Sequence, residues 1–491
     1  MQKILSALLA ACLSLTALAQ TDKQLTDATI SKAKIEGHIR FLASDELRGR
    51  NTPSPEQVIA ARYLATQLQG YGVQPLPQYP DYLQPVAMKI QGRPTEVKVD
   101  YADKSFRASE NSLLLNGTNA DTEAEAVFLN FGTEDDFRKT DVKGKIVFVR
   151  AGSATDPDPR QWFFLGGEKR KRATAKGAVA LVEFYSNPQL PWKVLVGYLN
   201  TERTMLDNDQ AGTDINHVWL HDVAAKEAGF WAAKKKTRTK VKVEGMAVRR
   251  FTTYNIVGYA QGSDAKLKDE YIVYSAHYDH IGIGKANAEG DTIYNGARDN
   301  AVGTVTVLSA AENLARHPTK RSALFVLFTG EEKGLLGSNW FVEHPPLPLK
   351  KMVYCFNSDN AGYNDTTVAT IIGLGRTTAE GLIKTACQAY NLTAIDDPVP
   401  EQNLFDRSDN VNFAKKGIPA PTFSLGLTAF DGEVTKHYHQ ASDQWNTLNY
   451  NYLYRFFSSY VYACRLIGNA PERPFWKPGD KYYSAGIELY K

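Results

Sequence analysis

Apolar and polar positions follow three different rhythms along this chain. Up to about residue 91 the spacing is helical. Residues 31–43 and 55–71 each carry an apolar stripe; Val58, Ala61, Tyr63, Leu64 and Leu68 form the second, with Gly70 near its stop. From about residue 92 to 246, short strand-like runs predominate, at 96–99, 126–131, 145–149, 179–184 and 241–243. Turns rich in Gly, Asn and Asp separate them. From Asn255 onward, strand-like runs (271–275, 322–328, 352–357, 368–372, 420–424) alternate with helix-like ones (302–316, 338–343, 378–390, 411–416, 451–467). Such alternation predicts an α/β fold, a sandwich with a mixed, mostly parallel central sheet flanked by helices in three layers. The last stretch, 471–491, is rich in aromatics and Pro and reads as a tail on the surface.

Length fits this division. A chain of 491 residues is long for one average domain. The change of rhythm predicts one α/β domain from 22–91 and 247–470, with 92–246 inserted as a β-rich domain. Composition adds little, since 43% hydrophobic and 23% charged residues are ordinary for a globular protein. A net charge of +3 makes no case for nucleic acid as a partner. Two basic runs, KRKRATAK at 169–176 and KKKTRTK at 234–240, lack the interleaved aromatics that stack bases and read as solvated faces or loops.

The N-terminus reads as a signal peptide over residues 1–19. A short positive start, MQK, precedes an apolar stretch that ends in a small-x-small site at Ala17-Leu18-Ala19. The expected destination is periplasmic or secreted. Lipid attachment at Cys12 is an alternative, opposed by the apolar run that continues beyond it. No other stretch is apolar for long enough to span a bilayer. Cys355, Cys387 and Cys464 then remain, allow at most one disulfide, carry no CxxC zinc signature and read as buried thiols.

Five residues could hold metal, and most of them close a predicted strand or sit in the loop after one. They are His277 (SAHYDHIG), Asp299 (NGARDNAVG), Glu332 (FTGEEKGLLGS), Asp359 (CFNSDNAG) and His439 (HYHQASDQW). Taken singly, each has a plainer explanation: a surface pair, a helix start, an N-cap, an exposed loop histidine. Polar residues at the carboxyl ends of several strands of one sheet converge on one crevice, which favours the joint reading. Imidazoles and carboxylates without thiolate suit zinc. Two ions need a shared anion, which a carboxylate such as Asp299 could supply. Glu331, beside Glu332, is then free as a general base. Asp279 is placed to accept the second ring N–H of His277.

Taken in order, AHYDHIG, NGARDNAVGT, TGEEKGLLGS and YHQASD resemble the motifs of the M28 zinc metallopeptidases, the co-catalytic two-zinc aminopeptidases. FLASDELRGRNTP resembles the lead-in of exported bacterial members. DVKGKIVFVR with KGAVALVEFY resembles a protease-associated (PA) domain. The resemblance implies two Zn2+ per chain: His277 and Asp359 on one, Glu332 and His439 on the other, Asp299 bridging. It further implies Glu331 as catalytic base and acid, Tyr438 polarising the scissile carbonyl, Arg407 contacting substrate, and a cis peptide after Asp299. Two positions depart from the family pattern. Arg298 stands where an acidic residue is common, which bears on substrate charge preference, and Asn360 follows Asp359 where an apolar residue is common.

The expected function is that of an exported zinc exopeptidase. As an aminopeptidase it would take a peptide or protein with a free N-terminus, attacked by a metal-bridging hydroxide with Glu331 as base. The alternatives are a carboxypeptidase or dipeptidase of the same fold, a glutaminyl cyclase-like aminoacyltransferase, and a non-catalytic binding protein. The intact Glu331 speaks against the last.

Overall fold

The computed structural model describes residues 20–108, 110–155, 159–207, 215–234 and 236–491. The predicted signal peptide lies outside them. The chain divides into two compact units, one of Ala87–Thr252 and the other of Thr253–Lys491 with the described part of Met1–Val86.

In the second of these units the labelled elements, in chain order, are α1 (Lys32–Leu42), α2 (Pro55–Tyr71), β1 (Val248–Ala260, which enters the unit at Thr253), β2 (Tyr271–His277), α3 (Gly303–Arg316), β3 (Ser322–Phe328), α4 (Leu336–Glu343), β4 (Met352–Ser358), β5 (Val368–Ile372), α5 (Glu380–Gln388), β6 (Thr393–Ile395), α6 (Asn410–Lys415), β7 (Thr422–Ser424), α7 (Tyr450–Asn469) and α8 (Tyr483–Leu489). The strand order is β6-β5-β7-β4-β2-β3-β1. Strand β2 runs parallel to β3, pairing His277 with Phe328, and parallel to β4, pairing Ser275 with Asn357. β4 and β7 are parallel, as are β5 and β6. β1 runs antiparallel to β3, and β5 antiparallel to β7. Among these seven strands the pairing is therefore mixed, with four parallel neighbours and two antiparallel.

Why the central strands form is plain from their burial. SALFVLF in β3 and MVYCFNS in β4 are buried at every position, as expected for strands covered on both faces. Alternate side chains feed two separate cores. Ile272, Tyr274, Phe325 and Phe356 pack with residues of α1, α2, α3 and α7. Val273, Leu324, Val326 and Cys355 pack with Phe341 of α4 and Phe413 of α6. Helix α2 starts on Ser54, whose hydroxyl accepts from Gln57 N–H, and ends on Gly72 at φ +82°.

Residues 471–491 are built into this core rather than lying loosely on the surface. Trp476 is 1% exposed and donates its indole N–H to Gly417 O at 2.9 Å, while the hydroxyl of Tyr490 donates to Met352 O at 2.7 Å. The aromatics that made this segment look like a tail are the groups that anchor it. Cys355, Cys387 and Cys464 are free and buried.

The unit Ala87–Thr252 has its own sheet, whose centre is parallel: Ala120–Phe128 beside Ile146–Arg150, then Ala180–Tyr185, then Asn216–His221. It is less purely β than its sequence suggests, because 159–175 is a long helix. The first basic run lies on that helix and is not wholly solvated. Lys169 is 3% exposed and donates to Arg150 O and Gly152 O at 2.7 and 2.8 Å, with Glu183 Oε1 3.5 Å away. The second run lies largely on the strand Lys236–Glu244, where Arg238 and Lys240 pair with Glu123 and Asp121 of the neighbouring strand.

Candidate functional site

Four polar side chains leave the carboxyl ends of three adjacent parallel strands. His277 closes β2, Glu331 and Glu332 follow β3, and Asp359 follows β4. Asp299 joins them from the wide turn Ala297–Val302 that leads into α3, and its peptide bond to Asn300 is cis. His439 comes from the loop after Gly432–Thr435, at φ +54°. A non-glycine residue there is uncommon and marks a conformation the surroundings impose. These six residues, with Tyr438 and Arg407, line one crevice.

The two oxygens of Asp299 face different imidazoles. Oδ1 lies 3.4 Å from His277 Nε2, which is 3.2 Å from Asp359 Oδ1. Oδ2 lies 3.1 Å from His439 Nε2, which is 3.3 Å from Glu332 Oε2. Donors on one tetrahedral zinc, with bonds of about 2.0–2.1 Å, sit about 3.3 Å apart. The donor set and its spacings therefore fit two zinc positions that share Asp299. Glu331 also lies close to His277 and Asp359, their nearest donor atoms being within 4.8 Å of one another.

Glu331 is held well above the usual carboxylate range by loss of water around it and by Asp359, Glu332 and Asp409, against the pull of His277. Burial works against ionisation of Asp299 as well, yet hydrogen bonds from His277 and His439 hold its carboxyl far below that range. For His439, burial is outweighed by Asp299 and Glu332, and the imidazole is raised to about 10.

The outer frame departs from expectation in two places. His277 Nδ1 meets the main-chain carbonyl of Asp279 at 3.1 Å, whereas the Asp279 carboxylate is 3.9 Å away. That carboxylate accepts instead from Glu331 N–H and Thr52 Oγ1, both at 3.1 Å. The second ring nitrogen of His277 thus faces the main-chain carbonyl of Asp279 and not its carboxylate, which was the expected acceptor. Arg298 does not face the crevice. It is 5% exposed, with Nη1 3.0 Å from Asp443 Oδ1, so its charge is spent on that carboxylate. Asn360 donates to Asn300 Oδ1 at 2.9 Å and accepts from Leu425 N–H at 2.8 Å, a tie that an apolar side chain would lack.

Two residues that sequence reasoning passes over are central. Arg50, in the lead-in segment, is buried and donates to the carbonyls of Leu42, Tyr278 (2.8 Å), Asn295 (2.6 Å) and Gly296 (3.1 Å). Burial lowers its pKa to about 10, opposed by Asp279 and Asp299. His280, the second histidine of HYDH, places Nδ1 2.8 Å from Glu332 Oε1. The short spacing from His277 was its only signal in the sequence.

Fold and site together define an α/β protein with a cluster of candidate metal ligands at the carboxyl ends of its parallel strands. Residues 255–463 match the model of peptidase family M28. Among characterised relatives, Aminopeptidase YwaD of Bacillus subtilis (strain 168) is 28% identical over 319 residues, which cover 64% of this chain and 60% of that protein. The probable leucine aminopeptidase 2 of Aspergillus oryzae is 24% identical over 361 residues, covering 66% and 63%. The chain thus spans less than two thirds of the length of these relatives. The solved structure of an aminopeptidase from Aneurinibacillus sp. strain AM-1 shares the fold, with a TM-score of 0.56 at 21% identity, covering 94% of this chain and 99% of that one. No helix among the described residues is long and apolar enough to cross a membrane.

Proposed function

We propose that this protein is an exported, zinc-dependent aminopeptidase that hydrolyses the first peptide bond of a peptide or protein with a free N-terminus. The observation that carries the reading is the division of Asp299 between two imidazole–carboxylate pairs, with Glu331 beside them. His277, Asp359 and Asp299 would hold one zinc ion, and Glu332, His439 and Asp299 the other. Bound there, zinc supplies a Lewis acid for the scissile carbonyl and brings the pKa of water towards neutrality.

The remaining work falls to this chain's side chains. Glu331 takes a proton from the attacking water and returns it to the leaving amine; a carboxyl raised by burial suits both directions. Its backbone N–H is pinned by Asp279, which fixes where the carboxylate starts. The carbonyl of Asp279 takes the Nδ1–H of His277, leaving Nε2 as the donor toward the metal. Tyr438 stacks on His439 at 4.1 Å, and burial raises its phenol further, so it stays protonated and offers an O–H to the substrate carbonyl. Arg407 stands at the exposed edge of the crevice, 3.5 Å from the Tyr438 hydroxyl, placed to meet the substrate beyond the scissile bond. The unit Ala87–Thr252 reads as an inserted PA-like domain, and residues 1–19 as the export signal.

The test is a panel of aminoacyl and N-blocked peptides incubated with purified zinc-loaded protein. Release of the first residue from free N-termini alone is the expected result. Equal cleavage of blocked peptides would remove the aminopeptidase assignment.

A further inference from the structure

His280 is fully buried, and its partners divide unequally between its two ring nitrogens. Nδ1 sits 2.8 Å from Glu332 Oε1, whereas Nε2 has no hydrogen-bond partner. A carboxylate only accepts, so the proton of the neutral ring belongs on Nδ1. His280 lies near enough to Asp299 and Glu332 to form a metal group with them, but His439 is the better-placed donor to the second metal position. Its Nδ1 is 3.9 Å from Asp299 Oδ2 and at hydrogen-bond distance from Glu332, whereas His439 Nε2 stands 3.1 and 3.3 Å from oxygens of the same two residues. The oxygens of Glu332 are thereby assigned, with Oε1 to His280 and Oε2 facing His439.

The ring has little freedom to move. Gly296, at φ +62°, approaches it closely, and a Cβ there would lie 2.6–2.7 Å from His280 Cγ and Cδ2. On the backbone side, His280 N–H donates to Arg50 O at 3.3 Å. His439 meets the ring edge-on, with centroids 5.6 Å apart. An immobile donor aimed at one oxygen of a carboxylate fixes that carboxylate's rotation.

We propose that His280 is a positioning residue that holds Glu332 as a one-oxygen ligand, and so sets the affinity of the second metal position without touching the ion. This rests on the two-zinc reading above. The experiment titrates zinc into chelator-stripped wild-type, His280→Asn and His280→Gln protein, with bound metal counted by elemental analysis. Asn keeps an N–H near the place of Nδ1, whereas Gln carries its amide out to the place of Nε2. The expected result is two ions in wild type, near-normal binding in His280→Asn, and a second ion weakened about 10- to 100-fold in His280→Gln. Cobalt in place of zinc would show the same selectivity, with the visible absorption of one ion altered in His280→Gln alone. Equal second-ion affinity in all three proteins, or equal losses in both variants, would overturn the proposal. A wild-type chain that binds fewer than two ions would overturn the two-zinc reading itself.

Discussion

The Asp443 carboxylate holds Arg298 by both its main chain and its side chain. It accepts the Arg298 backbone N–H at 2.9 Å and Nη1 at 3.0 Å, and it also accepts Asp299 N–H at 3.2 Å. One buried carboxylate therefore fixes the turn that presents Asp299 to the crevice. Asp443→Ala leaves a buried guanidinium and two main-chain donors without their acceptor. Breaking such a pair costs about 3–5 kcal/mol. Urea unfolding should show a loss of that size, accompanied by weaker zinc binding; unchanged zinc affinity would mean that Asp299 is held by other contacts.

Zinc binding should release protons. In chelator-stripped protein the neighbouring carboxylates outweigh burial, holding His277 well above its usual value and His439 at about 10. Both imidazoles are then protonated at pH 7, and zinc takes only the neutral ring. Apparent affinity must therefore rise with pH. Calorimetry in two buffers of different protonation enthalpy should give about one proton per imidazole. Identical heats in both buffers would contradict this.

His38 should make the fold sensitive to mild acid. Its ring nitrogens lie 2.7 and 2.8 Å from the hydroxyls of Tyr63 and Tyr71, and burial lowers its pKa despite the opposing field of Glu312. The unfolded chain takes up this proton at about pH 6.5, before the folded one does. Stability from the neutral ring is present above that pH and lost as pH falls below it. In chelator, the drop in urea midpoint between pH 7.5 and 5.5 should be smaller for His38→Phe than for wild type.

Phe356 lies in β4, the strand that delivers Asp359. It stacks on Tyr460 at 4.8 Å and meets Phe423 edge-on at 5.5 Å. Phe356→Ala should cost about 3–5 kcal/mol, the usual range for a buried ring. A cost under about 1 kcal/mol would mean that the core refills the cavity.

The site was more legible in the sequence than its frame. Strands such as SALFVLF announce themselves because burial on both faces leaves no polar position, and the residues that end them are the ones in the crevice. β1 was missed altogether; its first residues, VRRFT, are largely exposed and have no core rhythm. Lys169 was misread because a run of like charges does not show that one member turns inward to cap carbonyls. Arg298, Arg50 and the Asp279 carbonyl act through long-range or main-chain hydrogen bonds, which leave no periodic signature. His280 was overlooked for a related reason: its partner, Glu332, is 52 residues away.

The central claim, that Glu331 moves protons while Glu332 holds metal, is tested most directly by comparing Glu331→Gln with Glu332→Gln. Zinc content and hydrolysis of a free N-terminal aminoacyl substrate are measured on the same samples. The account predicts that Glu331→Gln keeps two zinc ions and loses turnover by about 10²- to 10⁴-fold, whereas Glu332→Gln loses one ion. Loss of zinc from Glu331→Gln, or near-normal turnover in it, would contradict the account.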